Sequence, residues 1–123
     1  MSKKIMVVDD SALSRRTLRR ILEGAGYSVV EAEEGMAALE LYFIEKPDLV
    51  LLDLVMKGMY GLDVLAKLRE MDAGARVIVA SADIQTSTRA QVFEAGASDF
   101  INKPFSAEGV LGAVNTALGE GAA

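Results

Sequence analysis

Short aliphatic runs alternate along this chain with longer stretches whose apolar residues recur at helical spacing, and that alternation restricts the fold more than any other feature. The runs are Ile5 to Val8, Ser28 to Val30, Leu49 to Leu52, Val77 to Ala80 and Asp99 to Ile101. Three of them are unbroken and aliphatic, as expected of parallel strands covered on both faces. Strands with one wet face would instead alternate apolar and polar side chains.

The intervening stretches read as helices. In the first, Leu18, Ile21, Leu22 and Ala25 form the inward stripe, and Arg15, Arg16, Arg19 and Arg20 occupy the other side. It stops at Gly24 to Gly26, where a positive φ favours glycine. A second helix covers Met36 to Ile44 and ends at Lys46-Pro47. The third runs from Leu62 to Met71, with Leu62, Leu65, Ala66 and Leu68 facing inward. The fourth covers Gln85 to Ala95. The fifth runs from Ala107 to Leu118, with Ser106 as its N-cap and Glu108 in its first turn.

Five strands and five helices in strict alternation predict an α/β fold, a doubly wound parallel sheet with right-handed crossovers. At 123 residues the chain holds one core, so residues 1–123 are read as a single domain. A ligand site is expected beyond the carboxyl ends of the strands, at the topological switch point.

The residues that follow the strands are therefore the ones to inspect. Asp9 and Asp10 follow the first, Asp53 the third, Ser81 and Ala82 the fourth, and Lys103-Pro104 the fifth. Taken singly, each has an ordinary structural role. Asp10 or Ser11 caps a helix, Asp53 and Ser81 are turn residues, and Lys103 is solvated surface. Their shared position at one end of consecutive strands weakens that reading. Asp53 also sits within Leu-Leu-Asp-Leu-Val, where an unpaired charge is costly.

The chain has no histidine and no cysteine. Imidazole bases, thiol nucleophiles, zinc fingers, iron–sulfur centres and disulfides are all excluded. A bound metal must be held by oxygen, which points to a hard ion such as Mg²⁺. Three clustered carboxylates require cations, and Mg²⁺ together with Lys103 brings formal balance. Such a pocket suits phosphoryl transfer, with a carboxylate as nucleophile. The formal net charge of −5 argues against nucleic acid and anionic membranes as partners. There is no apolar run of membrane-spanning length and no signal-peptide pattern, so the expected compartment is the cytoplasm.

At this point the chain resembles the receiver domains of two-component response regulators, in the single-domain, CheY-like chemotaxis branch. The resemblance runs from Lys4 to about Leu118. It is carried by Asp9-Asp10, Leu52-Asp53-Leu54, Met56, Gly58-Met59-Tyr60-Gly61-Leu62, Ser81-Ala82, Glu94-Ala95-Gly96-Ala97 and Asp99 to Phe105. It implies the strand order 2-1-3-4-5. Asp53 would be the phospho-acceptor. Asp10, Asp53 and the main-chain carbonyl of Val55 would ligate Mg²⁺, with Asp9 acting largely through water. Lys103 would contact the phosphoryl group or, before transfer, Asp53. Ser81 would move to bond a phosphoryl oxygen, and Phe100 would swing inward.

The partners implied are a sensor histidine kinase or phosphotransfer protein as donor, a downstream target such as a motility component, and a phosphatase. The chain would be a signalling switch that catalyses only its own phosphorylation and dephosphorylation. Three residues depart from the common family pattern. Lys57 stands in place of a proline, Phe100 in place of a frequent tyrosine, and Val55 offers no hydrogen bond to an attacking water.

Phosphorylation is expected to act on the surface around the fourth helix, fifth strand and fifth helix. The fourth helix begins with the polar Gln85-Thr86-Ser87-Thr88 and is anchored by Val92 and Phe93. The four arginines of the first helix are either a solvated face or a docking surface for an acidic phosphodonor. A haloacid-dehalogenase phosphatase would want a second aspartate where Val55 stands. A flavodoxin-like FMN carrier would want a phosphate loop where Asp9-Asp10 stand. A free-standing receiver is expected; the alternatives are the receiver portion of a larger regulator with a DNA-binding or enzymatic output domain, and a phosphate sink.

Overall fold

The computed structural model describes residues 3–56, 59–82 and 86–119, with the side chains of residues 86 and 87 outside the description. Five parallel strands, β1 (Lys4–Val8), β2 (Ser28–Ala32), β3 (Leu49–Leu52), β4 (Val77–Ser81) and β5 (Asp99–Asn102), form one sheet in the order β2-β1-β3-β4-β5. The helices are α1 (Ala12–Gly24), α2 (Gly35–Glu45), α3 (Gly61–Met71), α4 (Thr86–Glu94) and α5 (Ala107–Ala117). The doubly wound fold and its strand order are as expected.

Alternation along the strands divides the core in two. Ile5, Val7, Leu49, Leu51 and Ile78 pack with Leu18 and Leu22 of α1 and with Val110 and Val114 of α5. Met6, Val8, Val50 and Leu52 face the other way, against α2, α3 and Val92 of α4. Both faces of the central strands are thus dry, and truncating a side chain such as Leu52 to alanine would cost about 2–5 kcal/mol.

Local chemistry sets the helix ends. Ser11, rather than Asp10, caps α1, its hydroxyl accepting from Ser14 N at 3.2 Å. The far end turns at Gly26, whose φ is 97°, and the Tyr27 amide reaches back to Leu22 O at 3.0 Å. Ser106 caps α5 as expected, accepting from Gly109 N at 3.0 Å.

Several expectations about packing are corrected. Ala25 lies just past α1 and is exposed, and Ala66 of α3 is exposed while Val64 takes the inward place. Phe93 is 44% exposed, and among the described side chains of α4 Val92 and Thr88 are the buried ones. Lys57, Gly58 and Gln85 lie outside the described residues.

Candidate functional site: an acidic cluster at the strand ends

Parallel pairing carries one backbone bond past the strands at three site residues. Val8 is registered with Leu52, and the next residue of β3's chain, Asp53, donates its amide to Val8 O at 2.9 Å. Asp9 donates to Ala32 O at 3.1 Å. Ser81 is registered with Asn102, and Lys103 donates to Ser81 O at 3.0 Å. The ladder that builds the sheet therefore also fixes where these side chains emerge. Asp9 and Asp53 flank the gap between β1 and β3, from which the connections run in opposite directions, at the switch point.

Asp9 and Asp53 are 1% and 6% exposed, and Asp10 faces solvent. One carboxylate oxygen from each of the three lies within 4.8 Å of the others. Two oxygens bound to one Mg²⁺ are at most about 4 Å apart, given bonds of roughly 2.0–2.1 Å. Small side-chain movements bring this all-oxygen donor set to that span, so the cluster could hold a hard divalent ion.

Lys103 brings the opposing charge. Its Nζ lies 2.9 Å from Asp9 Oδ2 and 3.5 Å from Asp53 Oδ2. Burial pushes the Asp53 carboxyl above its ordinary value and the Asp9 charge adds to this, while Lys103 opposes it. Burial pulls the Lys103 ammonium down, but its bond to Asp9 and the charges of Asp53 and Asp9 outweigh that and hold it above the ordinary lysine value. Asp9 is further held by Ser11, whose amide donates to its Oδ1 at 2.9 Å.

The other sequence-derived candidates surround this core. Val55 donates its amide to Asp53 Oδ1 at 3.5 Å and is itself 65% exposed. Ser81 is buried at the end of β4. Phe100 is 6% exposed, packed in the same core cluster as Val79 and Val92. The Arg89 guanidinium of α4 lies over its ring, 5.5 Å from the centroid. Phe100 thus already points inward. An open groove of about 510 Å³ leaves the site past Lys103, between Leu13 and Phe105.

Two features escaped the sequence reading. Glu31, unremarkable at the end of a predicted strand, pairs with Arg15 and Arg19 of α1. Arg15 also reaches Glu33 and the main chain of Asp9. The four arginines are therefore not one solvated face: Arg15 and Arg19 are engaged and half-buried, and Arg16 and Arg20 are exposed. The signal available was the acidic spacing Glu31-Ala32-Glu33 opposite a basic helix.

Comparison with known proteins agrees with this geometry. Residues 5–115 match the model of the response regulator receiver domain. The chain is 44% identical to the chemotaxis protein CheY of Bacillus subtilis over 96% of its own length and 99% of that protein's. It is 40% identical to the CheY of Thermotoga maritima over 94% and 97%. A crystal structure of a CheX–CheY complex with BeF₃ and Mg²⁺ from Borrelia burgdorferi superposes with a TM-score of 0.90 at 31% identity, covering 93% of this chain and 87% of that one.

Proposed function

The chain belongs to the response regulator receiver family, and on that premise we propose that it is a phospho-accepting switch whose acceptor is Asp53. The observation that carries the reading is a buried carboxylate at the end of β3, flanked by two further aspartates and facing one lysine. In this reading Asp10, Asp53 and the Val55 carbonyl would hold Mg²⁺, with Asp9 acting largely through water, and the ion would supply charge neutralisation for the phosphoryl oxygens. Asp53 supplies the attacking oxygen, its bond to phosphorus forming as the phosphoryl group's bond to the donor breaks. Lys103 releases part of its hold on Asp9 and Asp53 to meet the phosphoryl group. Ser81 provides a hydroxyl at the end of the neighbouring strand. The relative crystallised with BeF₃, a mimic of a phosphoryl group, and Mg²⁺ supports the same chemistry.

The donor is a phosphohistidine on a sensor kinase or phosphotransfer protein, since the chain itself has no histidine to carry one. The groove beside Lys103, rimmed by Leu13 and Phe105, and the exposed Arg16 offer that donor an apolar lip and a cation. Phosphorylation alters the surface of α4, β5 and α5, and thereby the binding of a downstream protein in chemotaxis or motility; a phosphatase resets it. The chain acts as a single domain in the cytoplasm. Among the described residues no helix is long and apolar enough to cross a membrane.

The test is mass measurement after incubation with acetyl phosphate and Mg²⁺. The native chain should gain one phosphoryl group and Asp53→Ala none. Equal behaviour of the two would overturn the assignment of Asp53.

A further inference from the structure

Arg15 makes three directed contacts. Its Nη1 donates to the main-chain carbonyl of Asp9 at 2.7 Å, its Nε to Glu31 Oε1 at 3.2 Å and its Nη2 to Glu33 Oε1 at 3.2 Å. The side chain is only 12% exposed. The carbonyl it holds belongs to the peptide joining Asp9 to Asp10, so its direction sets the plane from which Asp10 leaves the backbone. Asp9 has side-chain anchors of its own in Ser11 N and Lys103. Among the described residues, no side-chain hydrogen bond or ion pair holds Asp10. Its carboxylate is placed by the backbone alone.

We propose that Arg15 is a positioning residue for the cation-binding cluster, orienting Asp10 through the Asp9–Asp10 peptide, with Glu31 and Glu33 holding its guanidinium in place. The proposal rests on the reading that Asp9, Asp10 and Asp53 bind a divalent cation. The guanidinium acts through direction rather than charge. Two carboxylates already share it, and Arg19 braces Glu31 from the other side. A planar fork can hold a carbonyl and two carboxylates at once, whereas an ammonium is a single movable point charge.

The sign of one measurement separates direction from charge. By Coulomb attraction alone, removing a cation beside three carboxylates should tighten the binding of Mg²⁺. Loss of orientation should weaken it. Amide chemical shifts of the full chain, titrated with MgCl₂ at constant ionic strength, give the affinity directly and do not depend on phosphorylation. Arg15→Met is expected to bind Mg²⁺ roughly tenfold more weakly, in the range seen when an outer partner of a metal ligand is lost. Arg15→Lys keeps the charge and the helix, and should fall between the two. Asp10→Asn serves as the control and should lose most binding. Native affinity in Arg15→Lys, with native or tighter affinity in Arg15→Met, would overturn the role of Arg15 while Asp10→Asn still fails to bind. If Asp10→Asn bound Mg²⁺ as the native chain does, the cation reading would fall and this proposal with it.

Discussion

The ammonium of Lys103 is closer to Asp9 than to Asp53, 2.9 Å against 3.5 Å. The lysine is thus shared, with its stronger contact on the carboxylate that is not the proposed acceptor. That arrangement leaves Asp53 the more weakly compensated of the two buried acids. It also means that Lys103 supports the fold as well as the site. Replacing it by methionine strands two buried carboxylates, and the expected loss is about 2–4 kcal/mol at neutral pH, near the cost of breaking a buried pair. The deficit should shrink as pH falls and Asp53, whose pKa burial raises, takes up its proton. Urea unfolding of Lys103→Met at pH 7 and pH 4 measures both; an equal loss at the two values would show that packing, not charge, is responsible.

Asp53 gives a second pH-dependent outcome. Burial and the Asp9 charge raise its folded-state pKa above the unfolded value. The folded chain therefore keeps this proton to higher pH than the unfolded chain. Stability from this group falls as pH rises from the ordinary carboxylate range through the raised folded value. Asp53→Asn removes the charge and should be more stable than the native chain at pH 7 without divalent ions. A rise in midpoint of a few degrees corresponds to roughly 1 kcal/mol in a domain of this size. The advantage should vanish below the carboxylate range. Calorimetric melts across pH 3.5–7.5 check this, and an Asn variant less stable at pH 7 would contradict it.

Gly61 opens α3 directly against the main chain of Asp53 and Leu54. A Cβ there would stand 2.5 Å from both Asp53 O and Leu54 Cα. These are backbone atoms, so the main chain at Asp53 would have to shift. Gly61→Ala should cost about 1–3 kcal/mol, typical of overpacking. It should also slow phosphoryl uptake from acetyl phosphate, because the displaced atom lies on Asp53 itself. Urea melts and intact mass read the two effects separately. Native uptake in a destabilised variant would mean that the acceptor tolerates the shift.

Tyr60 occupies the N-cap position of α3 in extended conformation without a side-chain cap. Its ring is partly exposed, and Asp63 already supplies an acidic residue in the first turn. The Asp63 amide already donates to Tyr60 O at 2.9 Å, so Tyr60→Ser should let a hydroxyl accept from the Leu62 amide and stabilise the chain by about 0.5–1 kcal/mol. Denaturant unfolding without Mg²⁺ is the measure; a loss would show that the ring's packing outweighs the missing cap.

The sheet was legible because β1, β3 and β4 are buried on both sides and so read as unbroken aliphatic runs. Their ends were less so. β2 runs on through Glu31 to Ala32, and β5 reaches Asn102, because parallel pairing continues past the last apolar residue. Of the acidic cluster, Asp9, Asp10 and Asp53 all stood out by their place after a strand. What stayed hidden were relations between distant segments. Helical period put Arg15 and Arg16 on the same polar side, yet Glu31 and Glu33 draw one of them inward. Size alone singles out Phe93 as an anchor of α4, whereas the smaller Thr88 and Val92 take buried places. The close approach of Gly61 to Asp53 depends on how α3 returns to β3, which local sequence does not encode.

The continuous register from Val8 and Leu52 to Asp9 and Asp53 has a thermodynamic corollary. The two acids hang from strands inside the sheet, whose amides are expected to open only with the whole domain. Fraying of either terminus or breathing of α4 should leave their separation unchanged. Chemical competence and global folding should therefore disappear in a single transition, and no partly unfolded form should retain half a site.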